Sequence, residues 1–172
     1  DELSIQILAR QQPVARDLRV VVSSLRISAS LERMGDMAEH LAQLTRYRFP
    51  EKVIAKGLRS TFKEMGEIDI KIAEKLIKML KSQELKQLET VRDLDDKIDA
   101  LHLSVFDKVL SDTWGGTNMD TVDATLASRY YERFSDHAIS IARKVAYLST
   151  GEWAPDIDEI CGLKPDIEVR IV

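Results

Sequence analysis

A chain of 172 residues, 44% hydrophobic and 31% charged, is long enough to bury a core in one domain or in two small bundles sharing an axis. It holds no run of about 18 apolar residues, which excludes an apolar membrane-spanning helix. A net charge of -4 gives nucleic acid no electrostatic footing, and the single Cys161 excludes an internal disulfide and fits a reducing cytoplasm.

The opening stretch DELSIQILARQQ carries Leu3, Ile7 and Leu8 at helical spacing with no capping residue ahead of them, so Asp1 reads as an interior position of a longer protein. Pro13, in a first-turn position that tolerates its missing N–H, opens a predicted helix from Val14 to Tyr47, and Pro50 closes it. A second helix is predicted from Glu51 to Lys81. Ser82, followed by Glu84, reads as the N-cap of a third, from Gln83 to Ser111. A loop from Asp112 to Asp120, turning at Gly115 and Gly116, leads into a fourth helix from Thr121 to Ser149. Gly151 then supplies a left-handed stop. Long antiparallel helices with short links make a bundle. Period-two alternation appears only in the tail, in PDIEVRIV from Pro165 onward, so the expected class is all-α with an appended tail.

The stretch LERMGDMAEH places Glu32 and Asp36 four residues apart, hence on one helix face. On a helical wheel Leu18, Val21, Val22, Leu25 and Ala29 fall on the same stripe, which reads as a core seam that turns acidic. Ile27, Leu31, Met34, Met37, Ala38 and Leu41 populate the opposite side, and Arg19, Arg26 and Arg33 recur at seven-residue spacing between the two.

Shifted by 100 residues, this helix lands on the fourth: Glu32, Arg33, Asp36, Ala38 and Ala42 meet Glu132, Arg133, Asp136, Ala138 and Ala142 as identities. Such an internal repeat implies two similar bundles in tandem. The third helix adds Asp95 and Asp99 on one face of DLDDKIDALH. A single pair of acids at this spacing is usually solvated or paired with neighbours such as Arg129, Arg133 and Arg143. Duplicated pairs on core-facing stripes instead ask for a cation. Four carboxylates from two helices make a hard oxygen site suited to Mg²⁺, Mn²⁺, Ca²⁺ or iron. A ferritin-like centre needs Glu-x-x-His pairs, and no Glu here precedes a His at that distance. His40, His102 and His137 read as surface or supporting residues, and Met34, Met37, Met65 and Met79 as core fillers. Aligning IDALHLSVFDKVL with DELSIQILARQQP sets Asp1 on Asp99, which makes Asp1 the second acid of a first-repeat pair.

The segments QQPVARDLR, ISASLERMGDMAEHLA, DLDDKIDALH and RYYERFSDHAISIARKVAYLSTG together resemble the PhoU family of bacterial phosphate-uptake and phosphate-signalling regulators. The resemblance covers Asp1 to Gly151. It implies two three-helix bundles in tandem whose E/D-x-x-x-D motifs bind metal in some members. Carried over by position, Asp95, Asp99, Glu132 and Asp136 would form the second-repeat site and Glu32 and Asp36, with Asp1, the first; zinc joins the metals named above as a possible occupant. It further implies a non-enzymatic cytoplasmic regulator, a homodimer, held near the inner face of the membrane by its partners. Those partners would be the ATPase subunit of the phosphate ABC transporter and a phosphate-sensing histidine kinase. On this division residues 1–50 are the remainder of the first repeat, 51–151 a complete second repeat and 152–172 a tail. Residues 1–50 alone leave the first bundle incomplete, with Val21, Val22, Leu25 and Ile27 partly uncovered. A metal-storing or metal-buffering bundle is the alternative that the carboxylate pairs leave open.

Overall fold

The computed structural model describes residues 1–82 and 85–152. Five α-helices follow one another: α1 (Glu2–Gln11), α2 (Ala15–Arg48), α3 (Arg59–Ser82), α4 (Leu88–Val109) and α5 (Asn118–Thr150), and the described residues include no strand. The expected tail alternation, and Cys161 with it, lies outside the described residues. No described helix is long and apolar enough to cross a membrane.

Helices α3, α4 and α5 pack together as a three-helix bundle, α2 lies along α5, and α1 folds back on α2. The bundle is built on an alternation of four- and three-residue steps, which keeps one stripe of each helix turned inward. From Leu58 in the 3₁₀ turn just before α3, that stripe continues along the helix as Phe62, Met65, Asp69, Ile72, Leu76 and Met79, all buried. On α4 it runs through Leu88, Val91, Ile98, Val105 and Val109, and on α5 through Ala124, Ala127, Ala138, Ala142 and Val145. The small residues of α5 let its neighbours approach closely.

Several helix ends differ from the sequence expectation. The segment after Pro50 runs without helix to a 3₁₀ turn at Lys56–Leu58, and α3 begins only at Arg59. This path drops Leu58 into the core and lays Ile54 against it. Ser82 ends α3 rather than capping α4, its hydroxyl donating back to the Lys78 carbonyl, and a 3₁₀ turn at Leu85–Gln87 precedes α4. Pro13 lies outside α2, whose N-cap is Val14. Helix α5 starts three residues earlier than Thr121 because Thr117 and Asp120 form a reciprocal capping box: Asp120 N–H donates to Thr117 Oγ1 at 3.1 Å and Thr117 N–H to Asp120 Oδ2 at 2.8 Å. Gly151 ends α5 with φ 81, as its sequence position implied.

The register of α2 on α5 is antiparallel. The Arg19 guanidinium sits over the Tyr147 ring, the His40 ring meets Tyr130, and Arg48 reaches Asp123. As numbers rise along α2 they fall along α5. The buried face of α2 is Val21, Ser23, Ile27, Ser30 and Met34, continued by Leu41 and Leu44. The wheel reading is thereby corrected: the seam contains Ile27 and Met34, not Ala29 and Glu32, because α5 packs on that side. Val21 and Ile27 are covered, Val22 and Leu25 are half-buried, and the large apolar residues left exposed up to Pro50 are Leu3, Ile5, Val14, Leu18, Val20, Leu31, Tyr47 and Phe49.

The far end of this contact is held by a fork. Arg48 Nε and Nη2 donate to Asp123 Oδ2 and Oδ1 at 2.6 and 2.8 Å, and Asp123 is buried. Removing one member of a buried pair strands the other charge, whereas removing both does not. Arg48→Leu alone is therefore expected to lower the urea midpoint more than the Arg48→Leu, Asp123→Leu double substitution does. A double variant at least as unstable as the single one would contradict this assignment.

Candidate functional site

Helices α4 and α5 bring Asp95, Asp99, Glu132 and Asp136 to one face. Asp95 occupies the inward stripe of α4 between Val91 and Ile98, and Ser135 Oγ donates to its Oδ1 at 2.5 Å across the helix pair. Burial pushes the Asp95 carboxyl up to about 6, with Asp99 and Asp136 adding to the rise and the Ser135 hydroxyl opposing it. Asp99 and Glu132 also lie above the ordinary carboxylate range, each first by burial and then by the neighbouring Asp136. The four acids thus feel one another as like charges.

They are not yet convergent. Arg129 Nη1 donates to Glu132 Oε1 at 2.5 Å and Arg133 Nη1 to Asp136 Oδ2 at 3.5 Å, each one turn along α5. Among the described residues no group of three or more His, Cys, Asp or Glu side chains is gathered about a point. One atom nevertheless lacks a partner: Glu132 Oε2 is buried and accepts no hydrogen bond. The donor set is entirely hard carboxylate oxygen, which suits a hard cation, and loading one requires Glu132 and Asp136 to swing away from Arg129 and Arg133.

The first-repeat residues stand elsewhere. Glu32 is exposed, Asp36 is half-buried and paired with Arg33 at 3.1 Å, and Asp1 is the exposed N-cap of α1 with no side-chain capping bond. Glu32 and Asp36 lie on the opposite side of α2 from its seam with α5. His102 sits on the inward stripe of α4, its Nδ1 3.1 Å from Ser128 Oγ and its ring edge-on to Phe106, and burial lowers its pKa. Met34, Met65 and Met79 are core residues and Met37 is half-buried.

Asp69 escaped sequence reading. It takes the central place in the apolar stripe of α3, is only 7% exposed, and its Oδ1 has no hydrogen-bond partner. Burial, with Asp95 nearby, pushes its carboxyl up to about 8, so it is neutral at ordinary pH. Asp69 in turn raises the Tyr131 phenol, itself already raised by burial. The signal was present in the sequence: one acid in an otherwise unbroken four-three apolar alternation.

The protein is thus a helical bundle that carries acidic pairs at four-residue spacing on two neighbouring helices. The sequence profile described as the PhoU domain matches residues 1–45 and 62–145. A phosphate-specific transport system accessory protein PhoU homolog 1 from Mycobacterium leprae is 34% identical over 162 residues, covering 94% of this chain and 72% of that protein. PhoU homolog 2 from Mycobacterium tuberculosis is 35% identical over 88% of this chain and 71% of its own length. A PhoU homolog from Rhizobium meliloti is 30% identical over 87% of this chain and 64% of its own. The chain belongs to the PhoU family.

Proposed function

We propose that this protein is an accessory regulator of phosphate transport that acts by binding rather than by catalysis. Family membership over both matched segments carries the reading, since relatives at this identity are themselves phosphate-transport accessory proteins. Its partners are the ATPase subunit of a phosphate transporter and a phosphate-sensing histidine kinase, met in the cytoplasm by the outer faces of the helices. The carboxylate face of α4 and α5 takes a divalent or trivalent cation, with Asp95, Asp99, Glu132 and Asp136 as ligands; Glu32, Asp36 and Asp1 belong to a second such face. The unpartnered Glu132 Oε2 and the mutual repulsion of the four acids support the first of these.

Calorimetric titration of chelator-stripped protein with Mn²⁺ and Mg²⁺ tests the cation site. The Glu132→Ala, Asp136→Ala double variant is expected to bind at least about tenfold more weakly, the scale on which loss of metal-supporting groups is felt. Unchanged binding would remove these residues from the site. Measuring association of the same variant with purified transporter ATPase and kinase separates the two functions. A regulator keeps those partners when the metal site is destroyed, whereas loss of every activity together would favour a metal-buffering bundle.

A further inference from the structure

The antiparallel register brings Arg19 and Arg26, two turns apart on one strip of α2, over Lys144 of α5. Together they border a cleft of about 370 Å³ whose remaining lining among the described residues includes Ser23, Leu18 and Val22 and no carboxylate. We propose that this cleft binds a phosphoryl group, free or carried on a small molecule, between Arg19, Arg26 and Lys144. The site lies beside the carboxylate face and does not depend on the regulatory reading.

Lys144 is the floor. It is only 9% exposed, and its Nζ donates to the Ser140 carbonyl at 2.9 Å and to Ser140 Oγ. An ammonium has three donors, so one is left for a ligand. Arg19 Nε is buried and without a hydrogen-bond partner. Burial lowers the Lys144 pKa, and Arg26 and Arg143 lower it further, so cations crowd one another here as carboxylates do across the bundle. In the adjoining cleft, which shares Arg26 and Lys144, Arg143 adds another buried Nε with no partner. The acids bordering that second cleft are Asp95 and Asp136, held by Ser135 and Arg133.

Like charges gathered at a seam require a counter-ion, and the donor geometry selects its kind. A planar carboxylate is satisfied by one guanidinium fork, whereas guanidinium and ammonium donors converging from two helices suit a tetrahedral dianion. The apolar wall of Leu18 and Val22 leaves room for an organic substituent on the phosphoryl group.

The full chain, in chelator and at constant ionic strength, is titrated by calorimetry with inorganic phosphate and with phenyl phosphate, and sedimented with phosphatidylcholine vesicles containing phosphatidic acid. Saturable binding of either soluble probe is expected, weakened at least tenfold by Arg26→Gln and by Lys144→Met and unchanged by Arg46→Gln. Arg26 is exposed, so its substitution leaves the fold intact even where Lys144→Met does not. Absence of heat with both soluble probes, equal binding by the Arg26 variant, or binding to vesicles alone would each overturn the proposal.

Discussion

Asp69→Asn is expected to make the metal-free protein markedly more stable at pH 8 and to flatten the dependence of its stability on pH. The carboxyl titrates near 3.8 when unfolded and at about 8 in the fold. Between those values the folded chain holds a proton that the unfolded chain has released, so stability falls as pH rises, by about 1.4 kcal/mol per pH unit. The whole of this group's favourable contribution is present below pH 4 and gone above pH 8, a change on the order of 5 kcal/mol. Asp95, raised to about 6, acts in the same direction over the lower half of the window. An asparagine has no proton to lose. Urea unfolding from pH 4.5 to 8.5, in chelator, measures the effect. If the wild-type and Asp69→Asn proteins lose stability in parallel across this range, Asp69 is ionised in the fold and its burial has been misjudged.

The second large effect is expected at Ile72. Its side chain is 0% exposed, one turn beyond Asp69 on the α3 stripe, where α4 and α5 close over it. Ile72→Ala removes buried carbon and leaves a cavity, a change that costs about 2–5 kcal/mol. Ile70, two residues earlier and 62% exposed, faces away from the bundle, and Ile70→Ala is expected to change stability by less than about 0.5 kcal/mol. Comparison of the two denaturation midpoints checks the facing of α3 directly. Equal losses would mean that the helix is rotated about its axis.

Much of the candidate site was legible because its residues obey a helical spacing. Glu132 and Asp136, and Asp95 and Asp99, share faces wherever their helices form, and the 100-residue repeat marked the first pair as non-random. What the spacing did not disclose is how each face is used. Glu32 and Asp36 match Glu132 and Asp136 letter for letter, yet α2 turns Ile27 and Met34 toward α5 and leaves Glu32 exposed. A wheel orders side chains around one axis and says nothing about where the neighbouring axis lies. The pairing of Arg129 with Glu132 and Arg133 with Asp136 likewise depends on rotamers that spacing permits but does not choose.

By itself the sequence determined the all-α class, the left-handed stop at Gly151 and the membership of Met65 and Met79 in a core, because periodicity and the glycine backbone are local properties. Tertiary structure alone decided that Arg19, Arg26 and Lys144 face one cleft, that Arg48 reaches Asp123, and that Asp69 is shut in with its proton. Each of these depends on the register between helices far apart in the chain. That register is set by how side chains from several helices fill a common volume, and no single helix encodes it.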